Sequence, residues 1–589
     1  MRFTFAVIAD SHFHPPGTPF QAAWAADARF NDRNAAVAEL LRQAAPAFVI
    51  HLGDVPHPVP GLAAHDEALD VAQALYRSLD CPVHIVPGNH DVGDKPKPTS
   101  PVPAGDAALR ARFVERWGPL WQSFDHGDWR FVLIDTPILN TGTADEAAQW
   151  AWLEDLAADG APWLAFLHYP PFLHRPDEPE HYDNLAEPAR SRLLSLLRTA
   201  RATFCGHVHH PFWHPLGPDS DLHILPATSF VRPGYSEASA IGPGEAFGRD
   251  DTGKLGLLFV HVDGAEVQVE HVATHPSPPS TPGLRVGHGP VPRHPLGATL
   301  RHRWDATIEI PADGLDPFTR KQATNDLTLR ALERAGFHRI RLPVDDLDRP
   351  ATRDRLAALT QRGWLASTFG TRVPSVGRDL VRHHELVGPA DQPPTTPDVL
   401  WAPVTRAAIR DDECFSHFPA LGVLPERSDR DDLVLRCPMG RRPWHMPEGP
   451  VVLVELPRQA ECERFTDAAR VAARGCEALV AALAHPAQRL YLDGFTDHDR
   501  GYFPRDAFVD RRGDPRPAHR ALVHLNRLLP RPCPAHLDES DAVDRYRVVG
   551  AGTLWIPHEA TALPAGIDLA TGEVAPAAIS AWPRWVPAA

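Results

Sequence analysis

The chain has 589 residues, 43% of them hydrophobic and 23% charged, so it can build apolar cores and is long enough for several domains. Its 59 basic and 75 acidic residues give a net charge of −16, which argues against general affinity for nucleic acids or anionic membranes. The 63 prolines, about twice the usual share, argue against long uninterrupted helices.

The first 273 residues alternate short apolar runs with helix-like segments. The predicted strands are residues 3–9, 47–52, 82–86, 130–135 and 163–167. Polar residues of the kinds that bind metals follow several of these strands directly. Because open α/β sheets bind ligands beyond the carboxyl ends of their strands, this pattern predicts one site assembled from several loops.

Five motifs carry the predicted chemistry. They are Asp10-x-His12, Gly53-Asp54, Gly88-Asn89-His90-Asp91, His168 and Gly206-His207-x-His209. Two metal ions held close together repel each other, so an anionic ligand should lie between them, and Asp54 is the candidate. Imidazoles combined with carboxylates suit two transition-metal ions drawn from Fe, Mn, Zn and Co rather than Mg or Ca.

This ordered series resembles that of the calcineurin-like metallophosphoesterases. The resemblance implies an αββα sandwich over residues 1–273 and a phosphoesterase that uses a metal-bridging hydroxide as its nucleophile. It implies that one metal is held by Asp10, His12, Asp54 and His209, and the other by Asp54, Asn89, His168 and His207.

The same resemblance assigns two catalytic residues. His90 would contact the phosphate and either protonate the leaving oxygen or stabilise charge on it, and Asp91 would orient the His90 imidazole. The nearby histidines outside the motifs are expected at the surface or behind the ligands. They are His14, His51, His57, His84 and His210.

The form of the motifs narrows the branch of the family. Protein Ser/Thr phosphatases of this superfamily carry GDxxDRG and GNHE, whereas this chain has GDVPHPV from Gly53 and GNHD from Gly88. These forms resemble the cyclic-nucleotide and glycerophosphodiester phosphodiesterases, which implies a small phosphodiester substrate containing a sugar or glycerol. A phosphomonoesterase is the alternative. Arg232 and Tyr235 are candidate substrate contacts, although their segment also fits a turn packed on the sheet.

Three further regions follow. Residues 274–299 contain seven prolines and are predicted to connect two domains, with an ordered extended arm as the alternative. Residues 300–535 regain a βα rhythm, including a helix predicted over 319–335, which indicates a TIM-barrel-like domain. Residues 540–589 read as short strands separated by glycine turns, a small β-rich tail.

The barrel region distantly resembles glycoside-hydrolase-type barrels. Its acidic candidates near predicted strand ends are Asp345, Asp346, Glu455, Asp493 and Asp497. Sugar hydrolysis needs two carboxyl groups across the bond, but acidic residues in arginine-rich loops also form ion pairs. A carbohydrate-active or sugar-binding barrel is therefore the alternative, and a degenerate barrel that binds substrate or mediates assembly is the main expectation.

Cysteine and targeting patterns favour a cytoplasmic protein. The seven cysteines form no C-x-x-C pair, which is typical of a reducing compartment. The N-terminus lacks the pattern of a signal peptide, and no apolar run reaches the roughly 18 residues that a membrane-spanning helix needs. The sequence leaves the oligomeric state open.

Overall fold

The structure is a computed structural model. It describes all residues except 17–23, 98–99, 101–104, 233, 236–248, 250, 275–287, 313, 390–392, 396–398, 407–418, 422–431, 458–467, 498–506 and 589. The described residues divide into two compact units: 1–274, 288–290 and Ala306–Asp326 form the first, and Val291–Asp305 with the chain from Leu327 onward forms the second. Among the helices in these ranges, none is both long and apolar enough to span a membrane.

Eleven strands build the two sheets of the first unit. They are β1 (Arg2–Ile8), β2 (Val49–His51), β3 (Val83–Ile85), β4 (Gln122–His126), β5 (Trp129–Ile134), β6 (Trp163–Leu167), β7 (Ala202–Cys205), β8 (Phe212–Pro215), β9 (Asp221–Ile224), β10 (Gly256–Asp263) and β11 (Glu266–Ala273). One sheet has the order β11-β10-β1-β2-β3 and the other the order β4-β5-β6-β7-β9-β8. Within them β1, β2 and β3 run parallel, as do β5, β6, β7 and β9.

The two sheets pack face to face over an aromatic core. Phe5 of the first sheet contacts Phe131 and Phe166 of the second, and the row of rings continues to Phe204 on the next strand. The ring centroids of Phe131 and Phe166 lie 6.0 Å apart and those of Phe166 and Phe204 5.3 Å apart, all nearly parallel. Each such pair contributes about 0.5–1.5 kcal/mol beyond the area it buries.

Helices cover the outer face of each sheet. Their bounds are Phe30–Ala44, Ala63–Arg77 and Ala107–Trp117 over the first sheet, and Ala144–Ala158 and Ala189–Leu197 over the second. Apolar residues four apart, such as Val37 and Leu41, place one face of each helix against its sheet. The predicted αββα sandwich is confirmed, with four layers and a short helix, Asn89–Val92, at its edge.

A hairpin from beyond the proline-rich segment also belongs to the first unit. Its strands are β13 (Thr307–Ile310) and β14 (Lys321–Thr324), paired antiparallel. Ile310 and Ala323 lie in the same apolar cluster as the helices over the second sheet. The domain boundaries predicted from the sequence assign residues 306–326 to the second domain. The sequence also predicts a helix over 319–335. The structure differs because β14 precedes the helix, which starts at Leu327.

The second unit contains a nearly closed barrel of eight parallel strands. They are β12 (Gly297–Thr299), β15 (Arg339–Pro343), β16 (Leu365–Gly370), β17 (His384–Pro389), β18 (Val399–Arg406), β20 (Val434–Cys437), β21 (Val451–Val454) and β22 (Arg489–Leu492). A parallel bridge between Trp401 and Leu433 links β18 to the β20 side, and β19 (Pro419–Leu421) pairs antiparallel with β18. The predicted barrel is present, although β12 lies inside the predicted connection, 274–299. Much of that connection, 275–287, lies outside the described residues.

Helices and a β-rich tail complete the second unit. The helices are Leu327–Arg334, Pro350–Gln361, Ala468–Ala484 and Pro517–Leu528. The tail strands are β23 (Ala535–Asp538), β24 (Val543–Val548), β25 (Gly552–Pro557), β26 (Thr561–Leu563), β27 (Gly566–Asp568), β28 (Val574–Ala575), β29 (Ala578–Ser580) and β30 (Arg584–Pro587). Six of these form one sheet, and β26 pairs with β29.

A buried ion pair lies between two barrel strands. Arg341 on β15 donates from Nε to both carboxylate oxygens of Glu385 on β17, at 2.9 and 2.8 Å, and from Nη2 to Oε2 at 2.5 Å. Both side chains are fully buried. Burial alone would raise the pKa of Glu385, but the adjacent guanidinium outweighs it and lowers the pKa to about 2.

Arg341→Met is expected to destabilise the chain by about 3–5 kcal/mol, because it leaves the Glu385 carboxylate buried without its guanidinium partner. Adding Glu385→Gln should recover most of that loss. Because the folded pKa lies below the ordinary 4.5, the stabilisation from this pair is complete above that pH and falls as the pH drops toward 2. Urea unfolding of the three proteins measures this. Equal stability of the single and double variants would contradict the account.

Candidate metal centre

The predicted ligands all follow strands whose carboxyl ends meet at one edge of the sandwich. Asp10 and His12 follow β1, Asp54 follows β2, Asn89 follows β3, His168 follows β6, and His207 and His209 follow β7. Parallel strands bring their carboxyl ends to the same edge of a sheet, so residues far apart in sequence converge. All seven side chains are buried. Six of them form two groups that share Asp54, and the side-chain oxygen of Asn89 lies beside the second group.

The first group contains Asp10, His12, Asp54 and His209, whose ligand atoms lie within 4.8 Å of one another. The Nε2 atoms of His12 and His209 are 3.1 Å apart. His12 Nε2 lies 3.7 Å from Asp54 Oδ2, and His209 Nε2 lies 3.4 Å from Asp10 Oδ1. The donors therefore face a common point.

The second group contains Asp54, His168 and His207. His168 Nε2 lies 3.4 Å from Asp54 Oδ1, 3.2 Å from His207 Nδ1 and 3.0 Å from the side-chain oxygen of Asn89. The other nitrogen of each ring is held elsewhere: His168 Nδ1 lies 2.8 Å from the Leu52 carbonyl, and His207 Nε2 lies 3.2 Å from the Tyr182 carbonyl. These backbone contacts fix which nitrogen faces the group.

Backbone strain is concentrated at the ligands. Seven non-glycine residues among those described have a positive φ: Asp10, His12, Ala45, Asp54, Asn140, His207 and His209. Five of the seven belong to the two groups. Such conformations cost of order 1–3 kcal/mol each and persist where the surrounding structure imposes them. The fold thus holds these side chains in place at the expense of local stability.

Two glycines let the β2 and β3 loops touch. Gly53 has a φ of +93°, and a Cβ at this position would lie 2.6 Å from the Gly88 nitrogen and 2.9 Å from His168 Nδ1. Glycine is therefore required at position 53 by the close contact as well as by the positive φ. A larger residue at position 53 would push Asp54 away from His168.

The charge state of the centre suits metal binding. Burial lowers the pKa of His12, His207 and His209 well below the ordinary value, so these rings are neutral and offer a lone pair. Burial also raises the pKa of Asp10 and Asp54, because two carboxylates in the interior are costly without a positive charge. A cation in each group would supply that charge.

The donor set fits two transition-metal ions. Neutral imidazoles, carboxylates and one amide oxygen favour Fe, Mn, Co or Zn, whereas Mg and Ca prefer oxygen ligands alone. The carboxylate that belongs to both groups can lie between two ions and reduce their mutual repulsion. Which residue binds which ion stays a prediction, as does the identity of the metals.

His90 lies beside the first group. Its ring packs edge-on against the His12 ring with centroids 4.7 Å apart, and its backbone N–H donates to Asp54 Oδ1 at 2.8 Å. Its Nδ1 lies 2.7 Å from the His57 carbonyl and donates to it, since a carbonyl can only accept. This contact leaves Nε2 as the ring nitrogen available to a substrate.

Asp91 makes different contacts from those expected. Its carboxylate accepts backbone hydrogen bonds from Gly88 and Asp54, both at 2.8 Å, and from Val55 at 3.2 Å. Asp91 is the third residue of the helix Asn89–Val92, so its carboxylate folds back onto the Gly88 N–H at the start of that helix, while the other two donors belong to the loop after β2. Asp91 therefore ties the β2 and β3 loops together, and the His57 carbonyl orients the His90 ring instead.

Arg232 and Tyr235 converge on a buried carboxylate, Asp183. Arg232 forms an ion pair with it, and the Tyr235 hydroxyl donates to Asp183 Oδ2 at 2.6 Å. Tyr235 is fully buried and Arg232 nearly so. Their role in binding substrate stays a prediction. Both residues contact Asp183, which in turn lies beside the His207 ring of the second group.

Sequence reasoning missed the residues behind the ligands. Tyr182 and Asp183 contact His207, and neither stands in a recognisable motif. The histidines outside the motifs are expected at the surface or behind the ligands. His51, His14 and His210 are buried, and His51 contacts Ser11 Oγ and the Gly53 N–H. No sequence pattern predicts the role of His57, because it contacts the His90 ring through its backbone carbonyl, a group that every residue has.

The acidic candidates of the barrel are all paired with arginines. The pairs are Asp345–Arg372, Asp346–Arg349, Glu455–Arg436, Asp493–Arg301 and Asp497–Arg516. Carboxyl groups engaged in this way are not free to act as an acid and a nucleophile across a glycosidic bond. The geometry favours the salt-linked interpretation, and the function of the barrel stays a prediction.

Comparison with known families agrees with the geometry of the first unit. The model of the family described as calcineurin-like phosphoesterase matches residues 3–211. The chain is 28% identical over 179 residues to the serine/threonine-protein phosphatase CPPED1 of Danio rerio, covering 28% of this chain and 55% of that protein. The Mus musculus protein of the same name is 30% identical over 178 residues, covering 28% of this chain and 54% of that protein.

The chain spans about half the length of the curated relatives it matches. Among solved structures, it is similar to a dimetal phosphatase from Danio rerio, with 14% identity and a TM-score of 0.33. That similarity covers 46% of this chain and 96% of the other. A TM-score this low carries no functional conclusion.

Proposed function

We propose that the first unit, whose residues 3–211 match the model of the calcineurin-like phosphoesterases, hydrolyses phosphate esters, with phosphomonoesters preferred, at a centre of two metal ions. The observation that carries the proposal is the pair of buried ligand groups sharing Asp54. A hydrolase of this kind needs two adjacent cations and a carboxylate between them, and both groups lie at one edge of the sheets.

The residues divide the work as follows. Asp10, His12 and His209 would hold one ion, Asn89, His168 and His207 the other, and Asp54 both. When bound, the ions supply Lewis acidity toward the phosphoryl group and make water a stronger acid. The protein contributes rigid placement, because strained backbone and backbone hydrogen bonds fix the ligand side chains. His90 would contact the ester through Nε2, because its Nδ1 is engaged by the His57 carbonyl.

His90→Gln is expected to lower kcat by about 100-fold, at the low end of general acid–base contributions, while metal content stays unchanged. The loss should be larger for an aryl phosphate with a poor leaving group than for p-nitrophenyl phosphate, because His90 would protonate the leaving oxygen. His84→Gln is a matched control, since His84 stacks on Phe124 away from the ligand groups. Equal losses for both leaving groups would contradict the acid role.

The ester class is decided by a direct comparison. The printed name of the curated relatives, a phosphatase, supports a phosphomonoester, whereas the GNHD and GHVH motif forms support the phosphodiester prediction. With the Mn-loaded full chain, kcat/KM for p-nitrophenyl phosphate is expected to exceed that for bis-p-nitrophenyl phosphate by at least about tenfold, or about 1.4 kcal/mol. The reverse order would favour the phosphodiesterase.

A sugar- or glycerol-containing substrate and a cytoplasmic location stay predictions from the sequence. Replacing Glu455 or Asp497 in the barrel is expected to leave phosphoesterase turnover nearly intact, because neither belongs to a ligand group of the first unit.

A further inference from the structure

A short loop, residues 181–184, lies directly against the second ligand group. The Tyr182 carbonyl is 3.2 Å from His207 Nε2, and Asp183 Oδ1 is 3.6 Å from the same nitrogen. The Tyr182 hydroxyl is 3.4 Å from the Asn89 side-chain nitrogen. Since His207 presents Nδ1 to the group, this loop determines how the ring is aimed.

Asp183 is held by cations from two distant parts of the chain. Arg232 pairs with one carboxylate oxygen, and Lys321 Nζ lies 2.8 Å from the other. Lys321 also lies 2.8 Å from Asp316 Oδ2, and Asp316 Oδ1 accepts the Tyr182 backbone N–H at 2.7 Å. Asp183 and Lys321 are both essentially inaccessible to solvent. Lys321 and Asp316 belong to the segment Ala306–Asp326.

The distribution of lysines points to the same loop. The chain has 59 basic residues but only four lysines, at positions 95, 97, 254 and 321. Lys95 donates to the carbonyls of His181 and Asn184, and Lys97 Nζ lies 2.7 Å from Asp316 Oδ1. Three of the four lysines thus converge on residues 181–184 and Asp316. A compact ammonium fits between closely spaced acceptors where a planar guanidinium would not.

We propose that Asp183 and Lys321 are positioning residues for the second metal, and that the hairpin β13–β14 completes the metal centre from beyond the proline-rich segment. The chain of contacts runs from Lys321 to Asp183 and from Asp183 to His207. The inference rests on the proposed function in one respect, the assignment of His207 as a ligand of the second metal. It further implies that residues 1–273 alone lack part of the centre.

The test is metal binding by the metal-free full chain, titrated with Mn²⁺. Lys321→Met is expected to weaken binding at one of two sites by about 10–100-fold, as for other outer-sphere positioning groups, and to leave the other site unchanged. Arg320→Met is the matched control, because Arg320 is the neighbouring, exposed residue of the hairpin and pairs with Glu309. The control should bind both ions with wild-type affinity.

A second variant covers the case in which Lys321→Met does not fold. Asp183→Asn combined with Arg232→Met removes one buried ion pair as a unit and leaves Lys321 paired with Asp316, so it should fold, yet it should bind the second ion weakly. Wild-type affinity at both sites in every folded variant would overturn the proposal. Equal weakening of both sites, or the same loss in Arg320→Met, would also overturn it. Because the readout is metal affinity, these outcomes hold even if the wild type hydrolyses no ester, which would count against the proposed function alone.

Discussion

Asp54→Asn is expected to abolish binding of at least one metal ion and to lower kcat/KM for an aryl phosphate by about 1,000-fold or more. Asp54 is the residue common to both ligand groups, with Oδ2 3.7 Å from His12 Nε2 and Oδ1 3.4 Å from His168 Nε2. An amide lacks the negative charge that offsets repulsion between two cations. Losing about 4 kcal/mol of electrostatic stabilisation corresponds to that factor.

The matched control is Asp135→Asn. Asp135 is also a fully buried carboxylate at the end of a strand, but it pairs with Arg110 and belongs to neither ligand group. Metal content measured by atomic spectroscopy should stay at the wild-type value in this control. Two tightly bound ions and wild-type turnover in Asp54→Asn would show that Asp54 is not the shared ligand.

Removing the metals is expected to have an equally large effect. Chelator-treated protein should lose at least about 1,000-fold in turnover, and Mn, Fe, Co or Zn should restore it, because the ions would polarise the phosphoryl group and activate water. Mg and Ca should restore little at the same concentration, since the imidazole-rich donor set does not suit them. The apo-protein should also unfold at a lower temperature, because a ligand that binds the folded state stabilises it.

Turnover of the chelated protein and its recovery with each ion, at one fixed concentration, provide the measurement. Dialysis of an untreated sample through the same buffers is the control for loss of folded protein. Full activity with Mg alone would contradict the interpretation of the donor set.

The convergence of the candidate ligands was predictable because its signals are local. Asp10, Asp54 and His168 each follow a short apolar run, and the rule that parallel strands bring their carboxyl ends together needs no tertiary detail. The barrel was predictable for the same reason, since its βα rhythm is visible along the chain. What the sequence reasoning could not provide was which backbone groups hold these side chains.

The support of the centre depends on contacts between distant residues. Lys321 and Asp183 are 138 positions apart, and no periodicity marks either. The strand Lys321–Thr324 was predicted as helix because the amphipathic helix Leu327–Arg334 follows after two residues. Asp91 was predicted to orient His90, but its place at a helix N-terminus gives its carboxylate nearer backbone partners.

The most direct test of the central claim is a titration of the metal-free full chain with Mn²⁺, in which bound metal and hydrolysis of p-nitrophenyl phosphate are measured on the same samples. The account predicts saturation at two ions per chain, with turnover that rises as the second ion binds. Hydrolysis by protein verified to be free of metal, or full activity at one ion per chain, would contradict it.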